Sequence, residues 1–309
     1  MDPLTYRRVP VNGIELQVSV TNEGGPRGLA LLVHGFPELA FSWRFQIAAL
    51  AEAGYEVWAP NTRGYGESTK PPKVADYDFD VLLEDLGALV DVTGRTDLTL
   101  IGHDWGAAQA WGFASRQVRP LERLVIMNVP HPTCFQRELR RFRQLRRSWY
   151  IVFFQIPWLP ERLMLARNAK GIADAFTNMA IDDSRFPEEV TDVFRAAAQR
   201  PDAMRSMINY YRALMRSARR TLGEEVPHID TPTLMLWGLE DTALGRETTE
   251  GTDEFVTDLT LRYLPGVSHW VQQEAPEKVN AMLLAWLDGQ SVPEADEIDV
   301  VRLIDPAVG

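Results

Sequence analysis

The chain has 309 residues, with 43 acidic against 32 basic, a formal net charge of −11 and 45% hydrophobic content. An acidic surface of this kind disfavours nucleic acid and anionic membranes as partners, while the length and apolar content allow one large domain, or a domain carrying a substantial insertion, with a full core. The single cysteine, Cys134, rules out an internal disulfide, and neither an apolar leader in MDPLTYRRVPVNG nor an apolar run of membrane-spanning length is visible, so a soluble, cytoplasmic protein is expected.

Residues 14–20 alternate as a strand does, and LALLV at 29–33 is a continuous apolar run. Helical spacing follows over 42–53 through Trp43, Ile47 and Leu50. Residues 56–59 read as a strand and 80–91 as an amphipathic helix carrying Leu83, Leu86 and Val90. Strand 98–101, helix 107–117 and strand 124–128 come next. Alternating strands and helices, with strands apolar on both faces, predict a parallel sheet between layers of helices.

The alternation stops after Pro130-His131-Pro132. From Cys134 to about Leu222 only helical patterns are present, rich in Arg, Met and aromatic residues. Strand patterns return over 233–237 and 259–264, and a last helix is predicted over 276–288, with Pro276 in its first turn. The predicted architecture is a doubly wound, mostly parallel α/β core interrupted by a helical cap after its sixth strand. The core spans 1–132 and 226–309, and the cap 133–225. Within the cap, RELRRFRQLRR at 137–147 places Leu139, Phe142, Leu145 and then Trp149 three or four apart. That spacing gives an apolar stripe with arginines on the other faces, a solvated helix face rather than a nucleic-acid patch. The acidic tail at 291–309 ends in the short apolar run VVRLI and reads either as a mobile tail or as an added strand.

Between strand 98–101 and helix 107–117 stands Gly102-His103-Asp104-Trp105-Gly106, a G-x-D-x-G. A sharp strand-to-helix turn needs small residues at positions 102 and 106, and it sets residue 104 at a helix N-terminus, where negative charge is favoured. By itself such an aspartate is commonly no more than a helix cap. Partners at matching places argue for more. His34-Gly35-Phe36-Pro37-Glu38 follows strand 29–33, where this architecture supplies one backbone N–H of an oxyanion hole; the residue after the nucleophile supplies the other. Those positions are Phe36 and Trp105, and the tight turn suits a cis Phe36-Pro37 bond. His34 and His103 sit in glycine-rich turns and read as structural hydrogen-bonding residues. The base is expected after the last strand, at His269 in PGVSHW, and the acid after the strand before it, at Asp241 in preference to Glu240. The order Asp104, Asp241, His269 is the nucleophile–acid–base order of an α/β-hydrolase.

HGFPE with the following SWR at 42–44, NTRGYGES at 61–68, GHDWG and GVSHW together resemble the signatures of the α/β-hydrolase-fold epoxide hydrolases over nearly the whole chain apart from the acidic tail. The resemblance implies that fold and two ring-opening tyrosines in the cap. SWYIVFFQ at 148–155 aligns the first with Tyr150, and NYYR at 209–212 aligns the second with Tyr211. Tyr210 stands where the family has tryptophan, and the adjacent pair leaves open which ring faces the site. The implied chemistry is attack by Asp104 on an epoxide carbon and protonation of the leaving oxygen by the phenols. His269, held by Asp241, then activates a water to hydrolyse the glycol ester. No cofactor or metal is required, the partners implied are a small apolar epoxide and water, and a homodimer is compatible with the sequence. A haloalkane dehalogenase of the same fold is the nearest rival, but that family typically has asparagine where Phe36 stands, and fluoroacetate dehalogenases typically have arginine where Trp105 stands. A hydrolase-fold binding protein without catalysis is the remaining reading.

Overall fold

The computed structural model describes residues 4–221 and 226–300. Eight strands form one sheet, β1 (Tyr6–Val11), β2 (Ile14–Thr21), β3 (Leu29–Val33), β4 (Glu56–Asn61), β5 (Leu98–His103), β6 (Arg123–Met127), β7 (Thr233–Gly238) and β8 (Leu259–Leu264), in the order β1-β2-β4-β3-β5-β6-β7-β8. The contacts of β2 with β1 and β4 are antiparallel, and every pairing from β4 through to β8 is parallel. The sequence reading lacked β1, whose Arg7, Arg8 and Pro10 mask its alternation; Val9 and Val11 are its buried side.

Strand β3 shows why a continuous apolar run forms here. Leu29, Leu31 and Val33 join one core cluster with Leu83, Leu86 and Val90 of α2 (Phe79–Thr93) and with Ala107 and Ala110 of α3 (Trp105–Ser115), while Ala30 and Leu32 join the opposite cluster. That second cluster is closed by Ile47 and Leu50 of α1 (Arg44–Glu52) and Val279, Met282 and Leu283 of the C-terminal helix Pro276–Leu287. Both faces of the sheet are thus removed from water, which is the main favourable term in folding.

Between β6 and β7 run α4 (Pro132–Glu138), α5 (Phe142–Arg147), α6 (Trp149–Phe153), α7 (Leu159–Thr177), α8 (Glu188–Ala198) and α9 (Ala203–Thr221). Helix α7 breaks at Ala166–Ala169, where Arg167, Asn168 and Ala169 take left-handed φ of 52°, 60° and 53°. A third cluster joins Phe154, Phe176, Met207, Tyr210 and Tyr211 of this segment to Leu39, Phe41 and Tyr65 beyond the strand ends and to Trp105 at the start of α3. The stripe read on 137–149 has a different setting from the usual core-facing one, because Leu145 and Trp149 point outward and are exposed. Of the tail, Val292 and Ala295 pack into the second cluster and the Arg262 guanidinium donates to the Val292 carbonyl at 2.8 Å. No strand forms over 291–300 among the described residues, and the rest of VVRLI lies outside them. Among the described residues no helix is long and apolar enough to cross a membrane.

Candidate active site

Strand β5 delivers the chain into the turn at Asp104, whose φ of 48° and ψ of −122° are a conformation that costs a non-glycine residue on the order of 1–3 kcal/mol. The turn closes because its neighbours lack side chains. A Cβ on Gly106 would fall on the Val33 carbonyl, and one on Gly35 would fall on the Asp104 carboxylate itself. The strained turn and the glycines around it place the carboxylate beyond the C-terminal end of β5, at the start of α3.

The Phe36 N–H donates to Asp104 Oδ1 at 2.7 Å, from a turn that contains the cis Phe36-Pro37 bond. Trp105 begins α3, and among the described residues its own N–H makes no bond to this carboxylate. On the other side, His269 Nε2 lies 3.6 Å from Asp104 Oδ2, and its Nδ1–H donates to Asp241 Oδ2 at 2.6 Å. Asp241 is held in turn by the Asn128 amide at 2.7 Å and by the N–H groups of Ala243 and Leu244 at 2.7 and 2.9 Å. Asp241 is buried, whereas Glu240 beside it is exposed.

Burial alone would raise the Asp104 carboxyl, but the hydrogen bond and charge of His269 and the Phe36 N–H hold it below its usual value. The same balance applies at Asp241, with His269 and Asn128 outweighing burial. For His269, burial opposes protonation, yet the two carboxylates dominate and raise the imidazole to about 10. The resting site is therefore an imidazolium bracketed by two carboxylates.

Over this group hang the phenols. The Tyr211 ring meets Phe36 at 5.3 Å, Trp105 at 5.1 Å and the Tyr150 ring at 5.8 Å between centroids, each edge to face. Burial first, and then the nearby Asp104 charge, raise both phenols above their ordinary value, so each stays a neutral donor. Tyr210 turns away: its hydroxyl donates to the Arg63 carbonyl at 2.7 Å, fastening α9 to the loop after β4. Of the two adjacent tyrosines, Tyr211 is the one whose ring lies against Phe36 and Tyr150, while both rings meet Trp105.

Several residues that matter to this geometry escaped the sequence reading. Glu38 is buried and accepts from the Gly35 N–H at 2.9 Å, from His103 Nδ1 at 2.7 Å and from the amides of Gln272 and Gln273 at 2.8 and 2.9 Å. His103 Nε2 reaches the His269 carbonyl at 2.8 Å, so one buried carboxylate ties the turn after β3, the turn at Asp104 and the loop of His269 together. Glu274 accepts from the Ser268 N–H and from the N–H groups of Ile181 and Asp182, linking the loop of His269 to the helical segment between β6 and β7. Asn128, immediately after β6, orients Asp241. Its place at the end of a parallel strand was the available signal.

An aspartate in a strand-to-helix turn after β5, a carboxylate after β7 and a histidine after β8 stand together at the strand ends of a mostly parallel sheet, and the alpha/beta hydrolase fold family matches residues 30–276. Epoxide hydrolase 4 of Mus musculus is 34% identical over 91% of this chain and 79% of its own length. The AB hydrolase superfamily protein YfhM of Bacillus subtilis (strain 168) is 35% identical over 94% of this chain and 100% of its own length. The crystal structure of Epoxide Hydrolase A from Mycobacterium thermoresistibile superposes with a TM-score of 0.81 at 32% identity, over 94% of this chain and 100% of that one. The chain belongs to the epoxide hydrolases of the α/β-hydrolase fold.

Proposed function

We propose that the protein hydrolyses epoxides to vicinal diols through a covalent ester on Asp104, beneath a cap formed by residues 133–225. The observation that carries this reading is the placement of one carboxylate between an N–H donor and a histidine, under two neutral phenols. An epoxide carbon is saturated and opens by in-line displacement, for which a carboxylate oxygen is a competent nucleophile. Asp104 Oδ2 forms the new C–O bond, the ring C–O bond breaks, and the departing oxygen takes a proton from Tyr150 or Tyr211. Oδ1 becomes the ester carbonyl.

Ester formation removes the Asp104 charge and with it one of the two supports of the imidazolium. The ring becomes more acidic, returns a proton to the phenolate, and is left neutral as a base. His269 then removes a proton from water, and the resulting hydroxide adds to the ester carbon. The oxyanion on Oδ1 rests on the N–H groups of Phe36 and Trp105. Collapse expels the glycol oxygen, which takes the acid proton left on Asp104, so the diol departs and the carboxylate and imidazolium are restored.

A halide leaving group calls for N–H donors rather than protons, and the Phe36 side chain offers none. Incubation with styrene oxide and, separately, with a bromoalkane distinguishes the two reactions. Diol from the first without halide from the second is expected; halide release without epoxide turnover overturns the reading.

A further inference from the structure

The outer face of the cap carries an apolar stripe that the site does not use. Leu145 on α5, Trp149 and Val152 on α6 and Ile156 beyond it follow one another at helical spacings and are 56%, 63%, 65% and 43% exposed. Trp158 and Leu163, 63% and 54% exposed, add further exposed apolar side chains at the start of α7. Isolated exposed apolar side chains are ordinary, but a run of this kind with two tryptophans marks a surface that something covers.

The charges are arranged around the same stripe. Residues 137–170 contain nine Lys and Arg against two Glu, a local balance of +7 in a chain of −11. Both acids are already taken, Glu138 by Arg141 at 3.3 Å and Glu161 by Arg212 at 2.7 Å. Exposed Arg140, Arg146 and Arg167 enter no ion pair among the described residues. Arg162 lies against the Trp158 ring, 5.8 Å from its centroid.

We propose that this face docks on an anionic lipid surface, with the tryptophans at headgroup level and the arginines on the phosphates. Aromatic residues flanked by exposed cations on short helices suit the boundary between headgroups and acyl chains. The overall negative charge does not oppose this contact, because screening limits what the bilayer senses to within roughly 8–10 Å of the docked face. A second copy of the chain fits less well. A two-fold contact, the commonest arrangement of identical chains, would set this basic surface against itself. Tyr150 lies on the opposite side of α6, with its ring against Tyr211, so docking leaves the site residues untouched.

Sedimentation with vesicles tests this. The full chain is expected to pellet with phosphatidylcholine–phosphatidylglycerol vesicles at low salt, poorly with phosphatidylcholine alone, and less as salt rises. Trp149→Ser with Trp158→Ser, and separately Arg140→Glu with Arg146→Glu, are expected to weaken partitioning on the order of tenfold or more. Both double variants keep wild-type turnover of a water-soluble epoxide, which shows that they fold. Absence of pelleting at low salt, or equal pelleting of wild type and variants, overturns the proposal. So does light scattering that shows a wild-type dimer lost in the tryptophan variant, which would assign the stripe to a second copy.

Discussion

His269 Nε2 faces Asp104 Oδ2 across 3.6 Å while its other nitrogen bonds Asp241 at 2.6 Å, so a single imidazole is shared between the proposed nucleophile and the proposed acid. This sharing makes the charge state of the ring depend on the state of Asp104.

The first consequence concerns stability against pH. His269 is raised in the folded protein from 6.5 to about 10, so its contribution is fully present below pH 6.5 and is lost as pH rises through about 10. Thermal midpoints of wild type and His269→Gln, measured from pH 6 to 10, are expected to show the wild type losing ground to the variant across that window. A constant difference between the two proteins contradicts the arrangement.

A second consequence separates the tyrosines. A general acid contributes about 10²–10⁴ in rate, here divided between two phenols, so Tyr150→Phe and Tyr211→Phe are each expected to slow ring opening about tenfold or more, and the double variant far more. Single-turnover stopped-flow, which resolves ester formation from ester hydrolysis, is expected to leave the second step largely intact. Tyr210→Phe loses the hydroxyl's bonds to the Arg63 carbonyl and the Thr62 hydroxyl and is expected to cost about 1–2 kcal/mol of stability with ring opening near wild type. Equal loss of ring opening in Tyr210→Phe and Tyr211→Phe would contradict the assignment.

Asn128 offers a third test. Its amide donates to Asp241 Oδ2 at 2.7 Å and its oxygen accepts from the Gly238 N–H at 3.0 Å, from a residue with φ of 50°. Asn128→Gly keeps the backbone conformation accessible and removes both bonds. It is expected to slow ester hydrolysis more than ester formation and to cost about 1–3 kcal/mol in stability. The opposite partition between the two steps would mean that Asn128 does not act through Asp241.

The sequence made the sheet legible wherever strands are buried on both faces, because β3 and β5 to β7 read as unbroken apolar runs. Strand β1 was hidden by Arg7, Arg8 and Pro10, since an edge strand with one solvated face can carry them. At the candidate site, the grouping of Asp104, Asp241 and His269 was legible from their positions at strand ends and the glycines around them. Glu38, Asn128 and Glu274 were not, since a buried polar residue is recognised by its partners, and those partners come from loops distant in the chain. The cap shows the same limit. Spacing reveals that Leu145 and Trp149 share a helical face, but whether protein covers that face depends on how α5 and α6 pack.

The most direct test of covalent catalysis by Asp104 is the mass of intact His269→Gln after mixing with styrene oxide. The account predicts an adduct equal in mass to the epoxide, located on Asp104 by peptide mapping and absent from Asp104→Asn. Diol formation by wild type with no adduct on His269→Gln, or an adduct mapped to another residue, would contradict it.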